Sequence, residues 1–137
     1  GITDEGALAF AEALKANRSM KSLKLEMNTI GTSGLLALSD SLKINDVLEE
    51  VHLSSNLVGE DGAKAIAEAV SVNRQLQRLY LYRNQIGNEG GQALGRALES
   101  NRSLKILHLG RNRIGDTGAA ALSKSLKWND IIERINL

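Results

Sequence analysis

The side chains best suited to chemistry in this sequence are its two histidines and two tyrosines, and they recur in register. His52, Tyr80 and His108 follow one another at equal steps of 28 residues, and Tyr82 lies two positions after Tyr80. Imidazole can bind a metal or transfer a proton, and a phenol offers a large contact area with one polar end. Because aromatic residues make up only 3% of the chain, composition alone does not account for this alignment.

A metal site at the two histidines is disfavoured by their spacing. If each 28-residue step adds one parallel strand to a sheet, the backbones of His52 and His108 lie about 9–10 Å apart, which is twice the strand spacing. Two imidazoles that share a zinc ion must each place a nitrogen about 2 Å from it. Tyr80 also stands between them in the column. We therefore predict neither a metal nor another cofactor.

Catalysis at the same strands is disfavoured as well. Ser54 follows His52, but no acidic residue in that column could orient the histidine as a nucleophilic triad requires. Glu26 and Glu50 could suggest an acid–base pair, yet Lys24 lies between them and favours an ordinary surface charge cluster. We expect the chain not to be an enzyme.

The step of 28 residues extends through the whole chain and defines an internal repeat. One column of asparagines comprises Asn28, Asn56, Asn84 and Asn112. A second column comprises Asn17, Asn45, Asn73, Asn101 and Asn129. Leucines keep the same register at Leu25, Leu53, Leu81, Leu109 and Leu137. Several columns in phase indicate stacked copies of one supersecondary unit.

Each repeat predicts a short strand. Leu104, Leu107 and Leu109 precede Asn112 in the pattern L-x-x-L-x-L-x-x-N, and the alternation at its second and third leucines is typical of a strand with one buried face. We interpret the first asparagine column as a ladder that satisfies buried backbone groups of its own repeat and the next one.

A turn and a helix follow each strand. Ile30 and Gly31 indicate the turn, and Thr32 is expected to cap the helix through its hydroxyl. The second asparagine column is expected to end each helix in the left-handed conformation. Because such a unit cannot bury its own apolar face, repeats must stack into one continuous core. We predict an α/β fold, a right-handed solenoid of parallel strands on the concave face and helices on the convex face, as a single domain over residues 1–137.

Net charge and composition limit the classes of partner that the chain is expected to bind. Seventeen basic residues against 16 acidic ones give a net charge of +1, which argues against a nucleic-acid binder. No apolar run is long enough to suggest a membrane span. The chain contains no cysteine, and this absence favours a reducing compartment.

The repeat can be compared with a known family. Its strand motif, asparagine column, Ile-Gly turn and small-residue helix resemble the ribonuclease-inhibitor type of leucine-rich repeats. The form N-x-I-G-x-x-G-x-x-A-L is most similar to the C-terminal repeat regions of NOD-like receptors, and RanGAP-type GTPase activators are a more distant resemblance. The first resemblance implies a cytoplasmic recognition module. About five repeats are present and neither end looks like a cap, so we expect a segment of a longer array.

The outward strand positions form the predicted binding surface for a protein or peptide. They comprise Lys24, Glu26, Glu50, His52, Arg78, Tyr80, Tyr82 and His108, flanked by Arg83 and Arg111. Tyrosine and arginine are favoured in protein-binding hot spots. Two alternatives remain open: a regulator of an enzyme such as a RanGAP-like GTPase activator, with Arg83, Arg111 or Arg113 delivered to its partner, and an array that self-associates through uncapped ends.

Overall fold

The computed structural model describes residues 1–137 and shows five helices alternating with five strands. The helices are α1 (Asp4–Ala16), α2 (Thr32–Ile44), α3 (Gly59–Val72), α4 (Gly87–Ser100) and α5 (Asp116–Ser125). The strands are β1 (Ser22–Lys24), β2 (Glu50–His52), β3 (Arg78–Tyr80), β4 (Ile106–His108) and β5 (Arg134–Asn136). None of the helices has the length and apolar character that crossing a bilayer requires.

The strands form one parallel sheet in the order β1-β2-β3-β4-β5, so neighbours in sequence are neighbours in space. The register follows the repeat, and His52 is paired with Lys24 on one side and with Tyr80 on the other. Each helix packs against the helices of the adjacent repeats. These findings confirm the predicted α/β solenoid, in which the helices cover one side of the sheet.

The core lies between the sheet and the helices. The motif leucines Leu53, Leu81 and Leu109 are at most 1% exposed, and Leu35 and Leu94 from the helices are fully buried against them. Burial of this apolar surface is the main term that stabilises the stack. Only the last strand leucine, Leu137, remains largely exposed, at 61%. The leucines of the strand motif therefore point inward, as the alternation predicts.

The first asparagine column forms the predicted ladder. The buried side chain of Asn84 donates from Nδ2 to the carbonyl oxygens of Leu53 (2.8 Å) and Leu81 (3.1 Å). Its Oδ1 accepts from the backbone amide of Asn56 at 3.1 Å. Asn112 repeats the pattern one step further along. Each asparagine thus joins its own repeat to the preceding one.

The second asparagine column forms another ladder, at the ends of the helices. Asn73 donates to the carbonyl oxygen of Leu42 in the previous repeat (2.7 Å) and accepts from its own Leu76 amide (2.7 Å). Its backbone is extended, with φ −67° and ψ 137°, so the expectation of a left-handed helix terminus is wrong. These residues are asparagines because their side chains bridge repeats, and a special backbone conformation is not needed.

The helix caps also differ from expectation. Thr32 is the first residue of α2, and no side chain caps a helix within its own repeat. Instead, Oδ1 of Asn88 accepts from the amides of Gly115 and Gly118 at the start of α5, each at 3.0 Å. The carboxylate of Asp4 accepts in the same way from Gly31. At α2 and α5 capping therefore acts across repeats, because Asp4 and Asn88, near the start of the preceding helices, lie beside these turns.

Candidate functional site: the open face of the sheet

The aromatic row comprises His52, Tyr80, Tyr82 and His108 and lies on the side of the sheet away from the helices. Strands β2, β3 and β4 place His52, Tyr80 and His108 on one face, because outward and buried positions alternate along each strand, and Tyr82 lies two residues beyond β3. The rings of His52 and Tyr80 stack at 4.4 Å between centroids with an interplanar angle of 15°. Tyr82 meets His108 edge-on at 5.6 Å. The row is a set of packed rings that restrict one another's rotamers.

An open depression of about 290 Å³ lies within this row, lined by Ser54, Tyr80, Tyr82 and His108. Gly110 lies close to two of these rings, since a Cβ there would lie 3.1 Å from the Tyr82 ring and 3.3 Å from the His108 ring. The glycine therefore lets both rings approach the sheet. Nδ1 of His108 is buried without a hydrogen-bond partner, which costs free energy of folding.

A charged cluster adjoins the row at β2 and β3. The Glu50 carboxylate lies 2.9 Å from Nε2 of His52 and 3.4 Å from Nε of Arg78. The contact with His52 is close but not aligned as a hydrogen bond. Partial burial raises the pKa of the Glu50 carboxyl, but His52 and Arg78 outweigh it and hold that pKa below its usual range.

Lys24 and Glu26 lie at the other end of the same face, on β1 and just beyond it, and both are exposed. Neither forms an ion pair. The expected surface cluster of these two residues with Glu50 is therefore not formed, because Glu50 turns towards the next strand. The sheet face divides into a polar first repeat and an aromatic centre.

A basic cleft of about 430 Å³ lies beside the aromatic row, where the strands end. It is lined by Asn28, Ser55, Asn56, Leu57, Arg83, Gln85, Arg111 and Arg113. The guanidinium carbon of Arg111 lies 5.9 Å from the centre of the Tyr82 ring, within the range of a cation–π contact. The sequence predicted Arg83 and Arg111 as residues that flank the binding surface. It did not predict that Ser55 and Gln85 line a cleft beside them.

The backbone of this cleft is unusual. Arg83, Arg111 and Arg113 have φ of 56°, 57° and 59°, as does Gln85 with 59°. Residues with a Cβ occupy this left-handed region at a cost of about 1–2 kcal/mol each. Met27 and Ser55, the equivalents of Arg83 and Arg111, share the conformation, so the turn geometry of the repeat imposes it at that position. The equivalents of Gln85 and Arg113, which are Leu57 and Thr29, do not have positive φ. No residue type that favours positive φ marks this position in the sequence.

A second depression, of about 410 Å³, lies between α3 and α4 on the helical side. Its floor is alanine, and Lys64 at its edge pairs with Glu89 of the next helix. This groove follows from the small residues that let the helices pack. Because it holds no aromatic ring, we place the candidate site on the sheet.

The described side chains offer no group of three or more histidine, cysteine, aspartate or glutamate residues arranged to hold a metal ion. His52 and His108 stand on either side of Tyr80, whose ring is 6.5 Å from that of His108. The arrangement presents rings and charges over a broad, open face. Such a face is suited to contact with another macromolecule.

Comparison with known proteins identifies the repeat. The family model described as "Leucine Rich repeat" matches residues 16–39, 45–67, 72–95 and 100–123, which is more than half of the chain. A search of curated proteins finds no significant match.

Solved structures share the fold. One is described as "Leiomodin-1 Actin-Binding Site 2 (ABS2)", with a TM-score of 0.83 and 23% identity, covering 95% of this chain and 76% of that one. Another is the tropomodulin C-terminal domain from Caenorhabditis elegans, with a TM-score of 0.83 and 14% identity, covering 98% of this chain and 81% of that one. At these identities the likeness concerns the fold.

Proposed function

The chain belongs to the leucine-rich-repeat family, and from this premise we propose that it is a recognition module whose open sheet face binds a protein or peptide. One observation carries the proposal: both tyrosines and both histidines of the chain lie together on this face. The exposed apolar side chains of α2 and α3, such as Leu36 and Val72, are aliphatic. An accessible aromatic patch with adjacent arginines is typical of a protein-binding hot spot.

The packing of the row supports binding in energetic terms. Stacking between His52 and Tyr80, and the edge contact between Tyr82 and His108, hold the rings in place before a partner arrives. Side chains ordered in advance lose less conformational entropy on binding than free ones do. The Glu50 carboxylate further restrains His52 and Arg78 beside the row. The surface is therefore pre-organised.

The identity of the partner is proposed at two levels. The leiomodin structure is described as an actin-binding site, which makes actin the first partner to test. The repeat form N-x-I-G-x-x-G-x-x-A-L supports a finer proposal, that the chain is part of a NOD-like receptor that senses its ligand in the cytoplasm. Both rest on resemblance, whereas the choice of the binding face rests on the geometry.

The test uses peptides selected on the wild-type protein from a random library, with actin co-sedimentation in parallel. Tyr80→Ala/Tyr82→Ala should weaken binding of the selected peptides at least about thirtyfold, the effect of losing one hot spot of about 2 kcal/mol. The matched control is Leu36→Ala/Val72→Ala, which removes exposed apolar side chains from the helical side. Circular dichroism should show similar thermal midpoints for all three proteins.

Peptides that bind the tyrosine variant as tightly as wild type would contradict the proposal. So would loss of binding in the helical-side control, because that result would place the partner on the convex face.

A further inference from the structure

The basic cleft carries an inference about the chemistry of the partner. Arg83 and Arg111 occupy equivalent positions in neighbouring repeats, and Arg113 follows two residues later. All three are exposed, and their side chains form neither an ion pair nor a hydrogen bond within the protein. No carboxylate lines the cleft. Three positive charges therefore face the same open space without compensation.

A second basic group, Arg74, Arg102 and Lys105, also lines a depression without a carboxylate, but its two guanidinium groups donate to backbone carbonyl oxygens of Ser71 and Glu99. Several other basic residues are paired with carboxylates. Lys43 pairs with Asp40 and Glu68, and Lys64 with Asp61 and Glu89, along and between the helices. Arg78 pairs with Glu50 on the sheet face itself. Like charges gathered without a counter-charge repel one another, and a bound anion would relieve that repulsion.

The aromatic row adds a second observation. The contact of Arg111 with the Tyr82 ring joins the cleft to the aromatic row. One partner segment can therefore reach both.

We propose that Arg83, Arg111 and Arg113 form a subsite for an acidic segment of the protein partner, rich in aspartate or glutamate. The inference rests on the proposed function, since it supplies the charge of the segment that the aromatic row binds. Guanidinium groups match carboxylates through paired hydrogen bonds. The subsite spans two repeats, about 5 Å of strand spacing, which a few residues of extended peptide cover at about 3.3 Å each.

A protein segment fits this footprint better than a nucleic acid does. The equivalent positions in the earlier repeats are Met27 and Ser55, so the basic stripe does not continue along the sheet. The whole chain carries a net charge of only +1. Binding to nucleic acid draws its affinity from phosphates contacted along an extended basic surface. The short cluster instead matches a local group of carboxylates.

The probe for the test is a fluorescent hexaglutamate peptide, titrated with the full 137-residue chain at low salt and followed by fluorescence polarisation. Arg83→Gln/Arg111→Gln/Arg113→Gln should raise the Kd about tenfold or more, since three exposed charge pairs together correspond to about 1.4 kcal/mol. The matched control, Arg96→Gln/Lys105→Gln/Lys127→Gln, removes the same charge from exposed residues outside the cleft. The Kd of this control variant for hexaglutamate should stay within about twofold of the wild-type value.

Three results would overturn the inference: no saturable binding of hexaglutamate up to about 1 mM, equal weakening in the control variant, or tighter arginine-dependent binding of a hexathymidine oligonucleotide. Failure of the proposed function has a different signature. In that case the library-selected peptides bind the Tyr80→Ala/Tyr82→Ala variant as tightly as they bind the wild type, and this result does not depend on whether hexaglutamate binds. If only the acidic subsite is wrong, the tyrosine variant still loses those peptides while the arginine variant keeps them.

Discussion

Replacement of Asn84 by alanine is expected to destabilise the array through a specific loss of hydrogen bonds. The Asn84 side chain is fully buried in the middle of the first ladder. It is the acceptor for the amide of Asn56 and a donor to the carbonyl oxygens of Leu53 and Leu81. Asn84→Ala removes all of these bonds while adding little strain.

The magnitude follows from what remains after the change. The Leu53 oxygen keeps the Nδ2 of Asn56 at 3.0 Å, and the Leu81 oxygen keeps the Nδ2 of Asn112 at 2.7 Å. Each carbonyl therefore loses one of two partners, whereas the Asn56 amide is left buried with none. The buried Val58 amide also loses its longer bond to Oδ1 of Asn84 (3.4 Å). Two orphaned amides and the weakened carbonyls amount to about 2–4 kcal/mol. For a chain of this length, total stability is about 7–20 kcal/mol.

Urea denaturation followed by circular dichroism measures this loss, and the thermal midpoint should fall by roughly 6–12 °C. Asn136→Ala is the matched control, because Asn136 is exposed on β5 and its side chain forms no hydrogen bond. It should stay within about 0.5 kcal/mol of wild type. A loss below about 1 kcal/mol for Asn84→Ala, or equal losses for the two variants, would refute the assignment of the ladder as a structural element.

Two further predictions concern packing and pH. At Gly95, a Cβ would lie 2.7 Å from the backbone carbon of Ala121, so Gly95→Ala should lose about 1–3 kcal/mol in urea denaturation. Gly59→Ala meets nothing within 4 Å and should lose only the left-handed penalty of about 1 kcal/mol; a larger loss there than at Gly95 would contradict this reading. Glu50 is partly buried, which raises its pKa, yet its two basic neighbours hold that pKa below the unfolded value. Its contribution to stability is therefore present above the unfolded pKa and lost as pH falls through the folded pKa, so Glu50→Gln should flatten the stability profile between about pH 5 and 3. Parallel pH profiles for the two proteins would show that Glu50 is not coupled to folding.

The fold could be predicted from the sequence because the repeat imposes the same constraint many times. The columns that hold Leu53 and Leu81 set both the strand register and the buried face. The asparagine at Asn84 could be interpreted because a buried amide at a strand end has few other roles. The aromatic row followed from the alternation within each strand, which places Tyr80 and Tyr82 on one side.

The turns were harder to predict, because their interactions cross from one repeat to the next. Asn88 has a good capping side chain, but it caps α5 of the following repeat rather than its own helix. Positive φ falls on Arg83 and Arg111, residue types that give no local signal for it, because the stack dictates the turn. For the same reason the cleft walls at Ser55 and Gln85 were not predicted.

Mapping a bound peptide by amide chemical shifts tests the assignment of the binding face most directly. Titration of the labelled protein with a library-selected peptide should move the resonances of β2, β3 and β4, including Tyr80 and His108, and leave those of α3 and α4 in place. Shift changes concentrated on the two helices, with the strands unaffected, would contradict the account.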